Sequence, residues 1–200
     1  MPPGHDIVYY RGTGWCGVEE SVRARLPRRV IHLSSAGLLS YYLLPPDMYG
    51  AGFPRELVVL AFLVPVLAVE AYRWAGRRKL PGLRENEDNR ISAVAWGAAG
   101  LAVAIVLFPQ KLVVPCALGM AFVDPLIGEL RLGWPKGYPY LPLAAYYLIC
   151  FSAGLGWLPS LLATVVALAA EAPKVPQVDD DFRMLVAPLA ALWLLALVFG

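Results

Sequence analysis

FVDPLIGELR, residues 122–131, ends one of the most apolar stretches of this 200-residue chain. From Leu112 to Ala121 the sequence carries no charge, and then Asp124 and Glu129 arrive where a bilayer-spanning helix would meet lipid. A charged side chain in hydrocarbon costs at least ~2.5–3.5 kcal/mol, so such a residue normally faces a protein-lined cavity or a partner. Pro125 follows the aspartate directly. Asp can cap a helix and Pro fits its first position, so the pair predicts a break at Val123–Asp124 and a restart at Pro125. Gly128, one turn beyond Asp124 on the same face, leaves space beside the carboxylate.

The rest of the chain supports a membrane setting. Hydrophobic residues make up 58% and charged residues 16%, with a mean hydropathy of +0.58. Soluble domains are about 45–50% apolar and about 25% charged. Apolar candidates for spans are Val30–Pro46, Leu57–Trp74, Ile91–Phe108, Leu112–Leu130, Tyr140–Leu155, Leu158–Ala170 and Met184–Phe199. The reading is an all-α integral membrane protein with six or seven transmembrane helices. Residues 1–27 form a polar N-terminal extension, and 28–200 a multi-span helical membrane domain. The extension lacks the apolar core of a signal peptide.

Charge sets the orientation. With the N-terminus cytoplasmic, all of the 17 Lys and Arg residues except Arg55 and Lys111 fall on the inner side, as the positive-inside rule requires. Most acids fall there too, with only Asp47 and Glu56 outside. Mixed charge at one face predicts a polar site open to the cytoplasm of a multi-pass cell-membrane protein. Cys16, Cys116 and Cys150 suggest no disulfide framework. His5 and His32 are the only histidines, too few for a His/Cys zinc site.

Four further motifs carry chemistry. In RRVIHLSS, residues 28–35, Arg28 and Arg29 lie four and three positions before His32, on one helix face. Such a rim suits phosphate, with His32 as donor or proton carrier. In EAYR, Glu70 and Arg73 are spaced for a local ion pair. The loop containing Glu85, Asn89 and Arg90 leads into the third span, with Asn89 a plausible cap. In EAPKVPQVDDDFR, residues 171–183, three consecutive aspartates precede the last span. Adjacent carboxylates repel unless a cation or helix N-terminus is near, and oxygen ligands of this kind suit Mg²⁺ bridging to phosphates. No Walker-type loop, GxGxxG, GxSxG or HExxH motif occurs.

The order of these pieces resembles the membrane family of CTP-dependent lipid-alcohol kinases (dolichol, phytol and diacylglycerol kinases), which is related to the CDP-diglyceride synthases. The pieces are Arg-Arg-x-x-His, Glu-x-x-Arg, Glu…Asn-Arg-x-Ser, Asp-Pro-Leu-x-Gly-Glu-Leu-Arg and a late Glu with Asp-Asp. The resemblance runs from about Arg28 to the C-terminus. It implies CTP as phosphoryl donor, Mg²⁺ as cofactor and a membrane lipid alcohol as acceptor, with no nucleic-acid partner; a homodimer is compatible with it. It also implies catalytic roles for Asp124, Glu70 and His32. Nucleotide or phosphate contacts would come from Arg28, Arg29, Arg73, Arg90, Gly128 and Lys136, and metal contacts from Asp124, Glu129, Asp179 and Asp180. The chain has Val123 where the family has glycine, Pro125-Leu126 where it has small residues, and only Lys136-Gly137 of its Lys-x-x-Glu-Gly-Ser stretch. A cytidylyltransferase making a CDP-lipid from a lipid phosphate would use the same residues. A transporter and a non-catalytic relative stand as further alternatives.

Overall fold

Short turns between long apolar runs leave the backbone no partner but itself, and helices satisfy every interior amide and carbonyl locally. The computed structural model describes residues 29–199, apart from 31, 34, 49–52, 77–89, 174 and 176. Among the described residues the α-helices are α1 (Glu56–Gly76), α2 (Ala93–Leu107), α3 (Gln110–Gly133), α4 (Tyr140–Ser152), α5 (Trp157–Glu171) and α6 (Asp180–Phe199). Helical residues 29–30, 32–33 and 35 precede them, followed by a 3-10 stretch, Ala36–Leu43. Arg28, Glu85 and Asn89 lie outside the described residues.

Among the described residues, three helical segments are long and apolar enough to cross a membrane: α1, α3, and Asp180–Val198 within α6. The expected spans Ile91–Phe108, Tyr140–Leu155 and Leu158–Ala170 form helices of 15, 13 and 15 residues. These fall short of the ~17 residues that a perpendicular crossing needs. The first expected span, Val30–Pro46, also differs, since its regular helix gives way to 3-10 geometry and ends at Leu43. Pro45 explains the stop: Leu44 is extended (φ −74°, ψ 140°), as the ring of a following proline demands. Beyond it, Asp47–Met48 pairs antiparallel with Phe53–Pro54 and delivers the chain to α1.

α3 is the axis of the structure. It contacts the 3-10 stretch, α2, α4 and α6, while α6 packs on α2, α3 and α5. α4 and α5 close the group, and α1 touches it through α2. Small residues permit this closeness: Ala117, Gly119 and Ala121 on α3 and Ala163 and Ala167 on α5 are buried. Where lipid replaces water outside, close van der Waals packing of this kind holds helices together. α1 instead buries only Val59 and Arg73 and turns Leu60, Val64, Leu67 and Val69 outward.

The helix break expected at Val123–Asp124 does not occur, since α3 runs unbroken for 24 residues through Pro115 and Pro125. Pro125 removes one amide from the ladder and crowds the preceding turn, at a cost of about 3 kcal/mol. Val123 and Ile127, buried on either side of it, hold the two halves in line. Asp124 therefore projects from an intact helix.

Candidate metal centre

Position on the helical stripe decides where Asp124 points. Val113, Cys116, Ala117, Met120 and Ile127 recur with it at helical spacing, and all are buried. The stripe turns the carboxylate toward the neighbouring helices, away from the outer surface. α6 repeats the device. Asp181 shares a stripe with Met184, Leu185, Pro188, Leu189 and Leu192, each buried. Asp179 Oδ1 accepts the Asp181 amide at 3.2 Å, which caps the start of α6 and fixes its first turn.

His32 joins these two carboxylates from the helical residues that open the described chain. Its Nε2 lies 3.1 Å from Asp181 Oδ2 and 3.8 Å from Asp124 Oδ2. One donor atom from each of the three residues can be chosen so that all lie within 4.8 Å of one another. The side chains are 9%, 4% and 14% exposed for His32, Asp181 and Asp124. Asp181 Oδ1 is buried and has no hydrogen-bond partner among the described residues. Two nearly buried carboxylates beside one imidazole repel unless a proton or a cation lies between them, and His32, Asp124 and Asp181 are the residues that could hold a metal ion.

At the rim, Arg29 Nη2 donates to Glu129 Oε1 and ties the entrance segment to α3. Gly128 is exposed, and a methyl group added there would meet no atom within 4 Å. Lys136 is exposed on the 3-10 turn Pro135–Gly137.

A second cluster joins the end of α1 to the start of α2. Glu70 accepts from Arg73 Nη2 at 2.5 Å, the Ser92 amide at 3.0 Å and Ser92 Oγ at 2.8 Å. Arg73, 2% exposed, also donates to the Arg90 carbonyl. Ser92 Oγ in turn accepts from the Ala95 amide and caps α2. Thus the structure gives Glu70, Arg73 and Arg90 to a clamp between helices and brings none of them into the His32–Asp124–Asp181 group.

A third cluster fastens α3 to α5. Arg131 donates to both Glu171 oxygens at 2.9 Å and to Tyr138 Oη at 3.1 Å. Its guanidinium lies 4.7 Å from the Tyr138 ring centroid, while Glu171 is 1% exposed. Beside it, Arg183 Nη1 donates to the Ala170 carbonyl at 2.5 Å, and Nη2 lies 3.6 Å from Asp180 Oδ1. Of the expected metal residues, then, Asp124 is in the central group, Asp179 caps α6, Asp180 faces Arg183 and Glu129 faces Arg29. Asp181, Tyr138 and Arg183 carry no role in the sequence reading, and Arg131, spaced to pair with Asp124, pairs with Glu171 instead. The stripe that Asp181 shares with Met184 and Leu185 was the available signal for the first.

These bonds lie at the ends of α1, α3 and α5 and at the starts of the entrance segment, α2 and α6. The polar groups therefore gather at one end of the helices, and Arg55, Glu56 and Lys111 lie at the other. No family model, curated protein or solved structure matches the chain.

Proposed function

We propose that the chain is a multi-pass membrane phosphotransferase that moves the γ-phosphate of CTP to a lipid alcohol. Its N-terminus and the polar ends of its helices would lie at the cytoplasmic face, where the distribution of Lys and Arg puts them. The observation that carries the reading is the convergence of His32, Asp124 and Asp181, from three separated segments, inside otherwise apolar packing. The sequence order that resembles CTP-dependent lipid kinases supports the choice of nucleotide and acceptor.

Phosphoryl transfer leaves little covalent work to the protein; it asks for positioning and for positive charge near the transferring oxygens. A divalent ion held by His32, Asp124 and Asp181 would supply that charge. Arg29, paired with Glu129 at the rim, would meet a phosphate arriving from the cytoplasm. Glu70 and Arg73 hold α1 against α2 in this scheme and act on the substrate only by keeping the scaffold in register. The lipid tail stays among the outward apolar faces, so the alcohol reaches the site without leaving the bilayer.

Label transfer in reconstituted membranes tests this, with Mg²⁺ and Mn²⁺ in separate reactions. Isoprenoid alcohols, their monophosphates and diacylglycerol serve as acceptors. Label from γ-labelled CTP entering an alcohol supports the proposal. Label only from the α position, entering a lipid phosphate, identifies a cytidylyltransferase instead. No transfer from either position with either ion refutes both.

A further inference from the structure

The three converging side chains differ in kind, and the difference has a consequence for the ion. Magnesium and calcium take oxygen donors, whereas imidazole nitrogen favours first-row transition ions, with carboxylate acceptable to Mn²⁺. We propose that His32 Nε2 and the carboxylates of Asp124 and Asp181 are the ligands of one transition-metal ion of the Mn²⁺ type. His32 is thereby a ligand and carries no proton for the reaction. The proposal deepens the phosphotransfer reading by naming its ion, yet binding is measurable without turnover, so the two can fail separately.

Geometry supports it first. Two ligands at right angles on an ion about 2.1–2.2 Å away are separated by about 3.0 Å. His32 Nε2 and Asp181 Oδ2 are 3.1 Å apart, and the 3.8 Å to Asp124 Oδ2 closes with a shift of under an ångström. Charge supports it second. Two carboxylates this close and this buried cannot both stay ionised without a counter-charge, and a divalent ion with neutral imidazole neutralises both at once. Third, Asp181 Oδ1 is buried without a hydrogen-bond partner among the described residues, and buried polar atoms of this sort call for a ligand or an ordered ion. Ser35 Oγ donates to the His32 carbonyl at 2.5 Å, a bond that holds the backbone turn carrying His32. Three protein donors leave positions open in a six-coordinate shell, as a site meant to receive phosphate or water requires.

The experiment is electron paramagnetic resonance of the full chain in detergent, titrated with Mn²⁺ alone. The expected result is one tightly held Mn²⁺ per chain, with Mg²⁺ and Ca²⁺ displacing it only at about tenfold or greater excess. Pulsed measurements on that complex should show modulation from a directly bonded ¹⁴N. Asp181→Asn and His32→Ala should each weaken Mn²⁺ binding by about tenfold to a hundredfold. Glu56→Gln, which alters an exposed acid at the opposite end of the helices, should leave it unchanged. Absence of stoichiometric Mn²⁺ overturns the proposal. So does a wild-type complex without nitrogen modulation, a result that does not depend on any variant folding. Equal affinity for Mg²⁺ and Mn²⁺ would likewise overturn it, as the signature of an oxygen-only site.

Discussion

Substituting Gly119→Ala tests whether the packing of α3 sets the spacing of the site. A methyl group added at Gly119 would lie 2.6 Å from Cε2 and Cζ of Tyr146 and 3.0 Å from Cδ2. Carbon atoms at rest sit about 3.5–4.0 Å apart, so the ring must retreat by about 1 Å. It has nowhere to turn. Tyr146 is fully buried, and its hydroxyl lies 3.4 Å from the Cys116 carbonyl on α3 and 3.5 Å from the Met184 carbonyl on α6. The helices themselves must separate, at a cost of about 1–3 kcal/mol for an overpacked core. For a chain of this length, that lowers the melting midpoint by about 2–4 °C per kcal/mol. Asp124 is five residues along α3, about 7.5 Å of helix axis, and Asp181 is one turn before Met184, so Mn²⁺ affinity should fall as well. Thermal unfolding in detergent supplies the first readout and Mn²⁺ titration the second. Tyr146→Ala alone should cost about 3–5 kcal/mol, and adding Gly119→Ala to it should cost nothing further, because the two residues are in contact. A Gly119→Ala chain that melts within 1 °C of wild type would refute the reasoning. The same holds if its full penalty persists beside Tyr146→Ala.

The other clusters give sharper contrasts between structure and chemistry. Glu70→Ala leaves Arg73, 2% exposed, without its carboxylate, so stability should fall by about 3–5 kcal/mol while KM for CTP stays within about twofold; lost turnover at unchanged stability would contradict the clamp. Arg131→Lys keeps the charge but loses the two-pronged bond to Glu171 and the stack on Tyr138, and should cost about 1.5–3 kcal/mol in denaturant unfolding; an unchanged midpoint would contradict it. In a Cys16→Ser background, where Cys116 and Cys150 are buried, an impermeant maleimide should reach Lys111→Cys from outside intact cells and miss Lys136→Cys. The reverse pattern would invert the proposed orientation.

Much of this site was legible in the sequence, for one physical reason. An acid inside an apolar helical stripe has to point where the apolar residues point, which singles out Asp124 among Val113, Cys116, Ala117, Met120 and Ile127. Asp181 was not singled out: the family resemblance pointed to Asp179 and Asp180, although of the three consecutive aspartates only Asp181 lies on the stripe of Met184, Leu185 and Pro188. His32 was legible by type and by its spacing from Arg29. Partners far apart in sequence were not. Arg131 and Glu171 are 40 residues apart, and Glu70 meets Ser92 across a turn between helices; local spacing carries no information about such pairs. Pro125 misled in a similar way. Whether a proline ends a helix depends on what packs on both sides of it, and here Val123 and Ile127 are buried and keep α3 continuous. The 3-10 geometry of Ala36–Leu43 was equally hidden, although the Pro45-Pro46 pair that stops it was in plain view.

The central claim is that Asp124 and Asp181, brought together from α3 and α6, act as one unit on the phosphates of CTP. Initial rates of transfer from γ-labelled CTP to a lipid alcohol test it most directly, for wild type, Asp124→Asn, Asp181→Asn and the double variant, each with its melting midpoint recorded. Residues that work as a unit are strongly non-additive. The account predicts that each folded single variant loses at least about a hundredfold in rate and that the double variant is no slower than the worse single. Full activity in a folded Asp124→Asn chain, or losses that simply multiply, would contradict it.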